Sequence, residues 1–339
     1  MNIFYLLLAL LAFSVLIIGH ELGHFFIAKL NNVKVEEFSV GMGPKLLGKK
    51  GKETEYSLRA IPFGGYVKML GEQGEECSDE RALNNKKPIQ KLSIVAAGPI
   101  MNFILAIILF SIIGYANGVK VPIVSKVELN TPAHAAGILK GDKIIGVDET
   151  KISSWDDFVK AINVKKGEEM QITLLRKNKT ITKKLKSKEV PEENRYIIGV
   201  YPTIEKTTFF GAISQGFEET ASLTRETFKF LGGLFQKKVP LSGVGGPVSV
   251  MRISAKAAEA GILTLLWISA YISVQLAIFN LLPIPALDGG WIIVSIIEII
   301  IGRKLNEEKI GKITYVGFIV LISFAILVTI KDILYPLKL

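Results

Sequence analysis

Only one cysteine, Cys77, occurs in 339 residues, so no disulfide can form within the chain and a stapled secreted scaffold is excluded. Histidine is nearly as scarce, with three copies. Aromatic residues make up 9% and are not interleaved with the lysines in one patch, which argues against a nucleic-acid surface. No lysine or arginine precedes the first apolar run, and no small-x-small site follows it. That run therefore reads as a retained membrane span and not a cleaved leader.

What the chain has is apolar length and positive charge. It is 49% hydrophobic with a net charge of +10, a pairing that long apolar runs joined by lysine-rich loops explain. The first run, Ile3 to Leu30, is about 40 Å of helix. A second covers about Leu92 to Ala116 and a last one about Ile313 to Ile330. The third runs from near Gly261 to Leu282, is interrupted by Pro283, Pro285 and Gly289-Gly290, and resumes as Trp291 to Ile301. The resumed piece falls short of the roughly 20 residues a span needs, so it reads as the second half of one broken helix. Basic loops at Asn31 to Lys91 and around Arg303 to Lys312 belong in the cytoplasm by the positive-inside rule. Both chain ends and the section 117–260 then lie outside.

Inside the first run stands "HELGH". His20 and His24 are i and i+4 and share one helix face. That spacing suits two ligands of one zinc, with Glu21 as general base. Two of the three histidines sit here, at a depth where ionisable groups are costly and point to function. Gly23 leaves room for another backbone. A third ligand is available as Asp288 in "NLLPIPALDGG", Asn280 to Gly290, where broken helix lets a carboxylate turn inward; the alternative is a turn with Asp288 in solvent.

HExxH in the first span followed by "NLLPIPALDGG" in a later one resembles the site-2 protease family of intramembrane zinc metalloproteases. "FGGYVKM" (Phe63 to Met69) resembles the family's glycine-rich hairpin, and "AAGPIMNF" (Ala96 to Phe103) its GPxxN element. "GVGGPVSV" (Gly243 to Val250) resembles the family's SGPVG stretch with a different glycine spacing. The run "TPAHAAGILKGDKIIGVD" resembles a PDZ signature, and the layout resembles bacterial members related to the protease of the sigma-E stress response. The length leaves room for one PDZ domain. His134 lies in it as a domain-surface residue and not a ligand.

The resemblance implies a polytopic α-helical membrane protein. It would have about four transmembrane helices, a membrane-associated β-hairpin and an inserted extracytoplasmic PDZ domain of α+β type. The expected divisions are 1–117 (HExxH helix, loop and hairpin, second span), 118–202 (PDZ domain), 203–260 (amphipathic extracytoplasmic linker) and 261–339 (membrane part with the LDG motif). It implies one zinc ion on His20, His24 and Asp288, with Glu21 as the catalytic base. Asn280 matches an asparagine implicated in handling substrate or transition state. Asn102 matches the GPxxN asparagine and is expected with Asn280 in handling substrate or transition state, an interhelical hydrogen bond being the alternative. Gly64, Gly65 and Tyr66 form the hairpin that would hold substrate extended beside the site. The implied substrates are single-span membrane proteins, anti-sigma factors or remnant signal peptides, whose outer domains have been trimmed and whose ends the PDZ domain would bind. The expected location is a bacterial-type plasma membrane, with the site near the cytoplasmic side. A metal-dependent transporter and a catalytically silent scaffold remain as other classes; neither needs an HExxH glutamate together with a peptide-binding domain.

Overall fold

The computed structural model describes residues 2–72, 78–190, 195–236 and 245–335. Cys77, Gly243 and Val244 lie outside the described residues. The chain divides into two compact units, Met1–Ile113 with Ile213–Leu339, and Gly114–Ala212.

The first unit is built on apolar helices: α1 (Ile3–Leu30), α2 (Pro88–Asn117), α7 (Ile262–Leu281), α8 (Asp288–Ile301) and α9 (Glu307–Leu334). Among the described residues, four helices are long and apolar enough to cross a membrane: α1, α2, α7 and α9. α8 has 14 residues and is too short to do so. α1 has two faces of different kinds. Ile3, Leu7, Leu11 and Val15, at i+4 spacing, are exposed, as suits contact with lipid, whereas Gly19, His20, Gly23 and His24 are buried. A Cβ added at Gly23 would meet the Ala97 carbonyl carbon at 2.8 Å and Met101 Cβ at 2.9 Å, so the missing side chain sets the α1–α2 approach.

Two long strands follow α1: β1 (Val35–Lys50) and β2 (Glu55–Met69). Both bend, and the hairpin doubles back on itself. Phe38 pairs with Tyr56 and with Val67, and Ser39 with Ser57 and with Tyr66. The start of β1 therefore lies between the two halves of β2, and Gly65–Met69 forms an outer edge. Gly41, Gly43 and Gly64, all at positive φ, mark the bends. Phe38, Val67 and Met69 pack with Ile94 of α2 and with Leu22 and Phe25 of α1.

Two more helices belong to this unit, α5 (Phe209–Phe235) and α6 (Pro247–Ala260). Leu223 and Leu231 of α5 pack on a cluster formed by Phe110 of α2 and Val274 of α7, and Thr227 hydrogen-bonds Gln275 of α7. α5 thus lies against membrane-span helices. Asp332 of α9 accepts from Ser249 N at 3.0 Å in the first turn of α6.

The second unit contains β3 (Val119–Val127), α3 (Pro132–Ala135), β4 (Lys143–Val147), β5 (Thr150–Lys151), α4 (Trp155–Lys165), β6 (Glu169–Arg176), β7 (Lys179–Lys186), β8 (Lys188–Val190), β9 (Arg195–Ile197) and β10 (Val200–Glu205). Its main sheet runs β10-β3-β4-β6-β7, leaving β10 at one edge. Phe158, Ile144, Ile172 and Leu174 are almost wholly buried in its core, each contributing about 1.5–3 kcal/mol. Ser154 and Asp157 close a capping box that starts α4. Arg176 holds the buried Asp142 through two bonds of 2.7 Å.

Candidate metal centre

The interruption after α7 brings the third predicted ligand to the other two. Leu282 to Leu287 turn the chain, and α8 begins at Asp288 itself. The sequence reading resumed this helix at Trp291. The difference comes from Gly289 and Gly290, which act as close contacts and not as breakers. A Cβ on Gly289 would lie 2.6 Å from Leu281 C, and one on Gly290 2.7 Å from Ile284 O.

His20 Nε2 lies 3.2 Å from Asp288 Oδ2, His24 Nε2 lies 3.6 Å from the same oxygen, and the two Nε2 atoms are 3.2 Å apart. Both imidazoles are buried. His24 Nδ1 donates to the Ile94 carbonyl at 2.9 Å. A backbone carbonyl only accepts, so Nδ1 carries a proton, and in its neutral form the ring presents a bare Nε2. Among the described residues, no hydrogen-bond donor apart from these ring nitrogens reaches the buried Asp288 Oδ2. Two ring nitrogens and a carboxylate oxygen thus converge, and these three atoms lie within 4.8 Å of one another. Imidazole and carboxylate donors in a buried trio fit zinc.

Helix α2 forms the cradle. Ile94, Gly98 and Asn102 follow at i, i+4 and i+8 on one face. A Cβ on Gly98 would fall 2.6 Å from His24 Cε1 and 2.7 Å from His20 Cε1. Asn102 is fully buried, with its amide nitrogen 3.1 Å from His20 Nδ1. Pro99, inside α2, lacks the amide that would bond Val95 O.

Glu21 opens into a cavity of about 510 Å³ together with His20, His24, Tyr66, Val67 and Asp288. Gly65 passes close by: a Cβ there would stand 3.9 Å from Glu21 Cγ. The Tyr66 hydroxyl donates to Glu37 Oε2 at 2.7 Å. Gly64 sits at a bend against Met42. Asn280 is half-buried on the last turn of α7 and is not among the residues lining this cavity. His134 is exposed on α3.

Sequence reasoning did not find the Ile94 carbonyl or the clearance at Gly98. The signal was present, since glycine and asparagine four apart in "AAGPIMNF" share a helix face. It also missed the far end of the cavity, where Lys91 lies 3.8 Å from the buried Glu298.

Comparison with known proteins places the chain in a family. The profile of the family described as Peptidase family M50 matches residues 8–324. A protein named as a zinc metalloprotease in Clostridium acetobutylicum is 45% identical over 340 residues, covering 100% of both chains. The zinc metalloprotease RasP of Geobacillus kaustophilus is 30% identical over 96% of each chain. The regulator of sigma-W protease RasP of Bacillus subtilis is 28% identical over 96% of this chain and 97% of its own. Among solved structures, the PDZ domain of an SdrC-like protein from Listeria innocua matches at 26% identity, covering 26% of this chain and 97% of that one, with a TM-score of 0.23. The chain belongs to peptidase family M50, the site-2 protease family, and is a membrane-embedded zinc metalloprotease.

Proposed function

We propose that the chain hydrolyses a peptide bond within single-span membrane proteins, using one zinc ion held by His20, His24 and Asp288. The observation that carries this reading is the convergence of those three donors inside an apolar helix bundle, with Glu21 beside them on the cavity wall. Zinc in such a site supplies Lewis-acid polarisation of the scissile carbonyl and acidifies water. Glu21 takes the proton of the attacking water and passes it to the leaving amine, which general-base geometry within the cavity permits. Burial of the carboxylate and imidazoles excludes bulk water and strengthens each electrostatic contact.

A helical substrate must unwind before its amides can be reached. The open edge Gly65–Met69 runs along the cavity, where Val67 and Met69 form part of the lining. Strand addition there holds the substrate extended. A developing oxyanion would be met by Asn280, a role that rests on the family resemblance alone. The unit Gly114–Ala212 acts as the peptide-binding PDZ domain, with β10 at its sheet edge available for pairing. It admits substrates whose outer domains another protease has trimmed; anti-sigma factors and remnant signal peptides are the candidate classes. The basic loops at Asn31 to Lys91 and Arg303 to Lys312 face the cytoplasm, and both termini face outward.

The test is reconstitution in liposomes with a single-span substrate, either trimmed or carrying a bulky folded outer domain. Cleavage within the apolar segment of the trimmed form, absent with the bulky form and with chelator, is expected. Equal cleavage of both forms contradicts the gating role, and cleavage that persists in chelator contradicts the metal centre.

A further inference from the structure

We propose that Asn102 is a positioning residue: its side-chain carbonyl accepts the Nδ1 proton of His20 and holds that ring with Nε2 bare toward Asp288. The inference rests on the zinc-binding reading above and assigns the residue that makes His20 competent as a ligand.

His24 owes its tautomer to a group that can only accept, the Ile94 carbonyl 2.9 Å from Nδ1. His20 has no such carbonyl. Its Nδ1 faces the amide of Asn102, whose nitrogen is 3.1 Å away. An amide presents a donor or an acceptor according to which end is turned forward, with the same shape either way. The two ends produce two different centres. With the nitrogen forward, His20 must carry its proton on Nε2, where it points at Asp288 Oδ2 3.2 Å away and blocks coordination. In that arrangement Asn102 Oδ1 is also buried with no partner. With the carbonyl forward, Oδ1 gains the Nδ1 proton, and His20 matches His24 in presenting a bare Nε2.

The backbone around Asn102 is built to hold the amide in place. Ser273 of α7 donates to the Asn102 backbone carbonyl at 2.8 Å, and Ser273 and Asn102 are both 0% exposed. Ile94 and Asn102 stand one helix repeat either side of Gly98, so α2 offers an acceptor, a space and an acceptor in register with the two rings. A pure interhelical bond would not need the side chain to meet the outer nitrogen of a ligand ring. Groups that orient ligand histidines in this way commonly change metal affinity 10–100-fold when removed.

The experiment uses the full chain in detergent, titrated with a competing chelator, with bound zinc measured by elemental analysis and folding followed by circular dichroism. Asn102→Asp keeps the shape and offers an acceptor oxygen toward Nδ1 whether or not it is ionised; Asn102→Leu keeps the size and can neither accept nor donate. Asn102→Leu is expected to lose zinc affinity about 10- to 100-fold with helix content unchanged, since the Ser273 bond goes to the backbone. Asn102→Asp is expected to hold zinc as tightly as the wild type or more tightly. Equal affinity in Asn102→Leu and wild type overturns the proposal, as does a loss in Asn102→Asp matching that in Asn102→Leu. A wild type that binds no zinc overturns the metal centre and this inference together, which separates the two failures.

Discussion

At Gly98 the absence of one carbon decides whether two imidazoles can face one point. A methyl there would overlap both rings, and the obstruction is an imidazole pair fixed at its outer nitrogens, not a flexible side-chain end. Gly98→Ala is therefore expected to lower zinc retention at least about tenfold, the lower end of what displacing a ligand's supporting contacts does. Alanine is the better helix former, so α2 should lose no helicity; zinc content after dialysis, measured beside circular dichroism, checks both. His20, Glu21, His24 and Asp288 were legible because their spacing or their place in a helix break announces chemistry. Gly98 was not, because a glycine in an apolar helix looks the same whether it clears a ring or a lipid. Ala286 was equally hidden. It takes a φ of +77° just before Asp288, a conformation that costs an ordinary residue about 1–2 kcal/mol and that no sequence pattern marks.

Elements were legible in proportion to how far local pattern decides them. Apolar length alone dictates α1, α2, α7 and α9, and each appears where the sequence put it, to within a few residues. The sequence reading placed a hairpin at Gly64-Gly65; both glycines instead lie inside β2, and the turn between β1 and β2 falls at 51–54, where Lys50 pairs with Glu55. The doubling back was not legible either, since pairing both halves of β2 with the same stretch of β1 depends on bends at Gly41, Gly43 and Gly64 acting together. One polar group ties the layers of that sheet. Glu37 Oε1 accepts from Ser57 at 2.5 Å and from Arg59 at 2.8 Å, while Oε2 accepts from Tyr66 at 2.7 Å. Burial raises the Glu37 carboxyl pKa, but the bonds from Ser57, Tyr66 and Arg59 prevail and bring it to about 2. A depressed carboxylate pKa contributes stability that is complete above the ordinary value of 4.5 and is lost as pH falls toward about 2. Amide protection in β1 and β2, taken relative to the intrinsic exchange rate at each pH, should therefore fall across that window in the wild type. In Glu37→Gln it should be lower at neutral pH and lack the acid step; an unchanged step in that variant would exclude Glu37 as its source.

At the scale of the whole molecule, the sequence separated a soluble section from apolar ones but said little about 203–260. Amphipathic spacing reveals that a helix has an apolar face and not what covers it. In α5 that face meets Phe110 and Val274 of the apolar helices, with Thr227 bonded to Gln275. The proposed topology, in which each of the four candidate spans crosses once, would place both ends on one side, and the single native cysteine makes it simple to test. In a Cys77→Ser background, Lys87→Cys should react with an impermeant maleimide only when the cytoplasmic face is exposed, and Lys179→Cys only from outside. The reverse pattern would invert the proposed orientation.

The central claim is that Glu21 moves the proton in a site whose metal is held by other residues. The most direct measurement is the cleavage rate of a trimmed single-span substrate by Glu21→Gln protein, with zinc per chain determined in the same sample. The account predicts wild-type zinc content with cleavage reduced by at least about two orders of magnitude, the usual worth of a positioned general base. Cleavage near the wild-type rate at full zinc occupancy would contradict it.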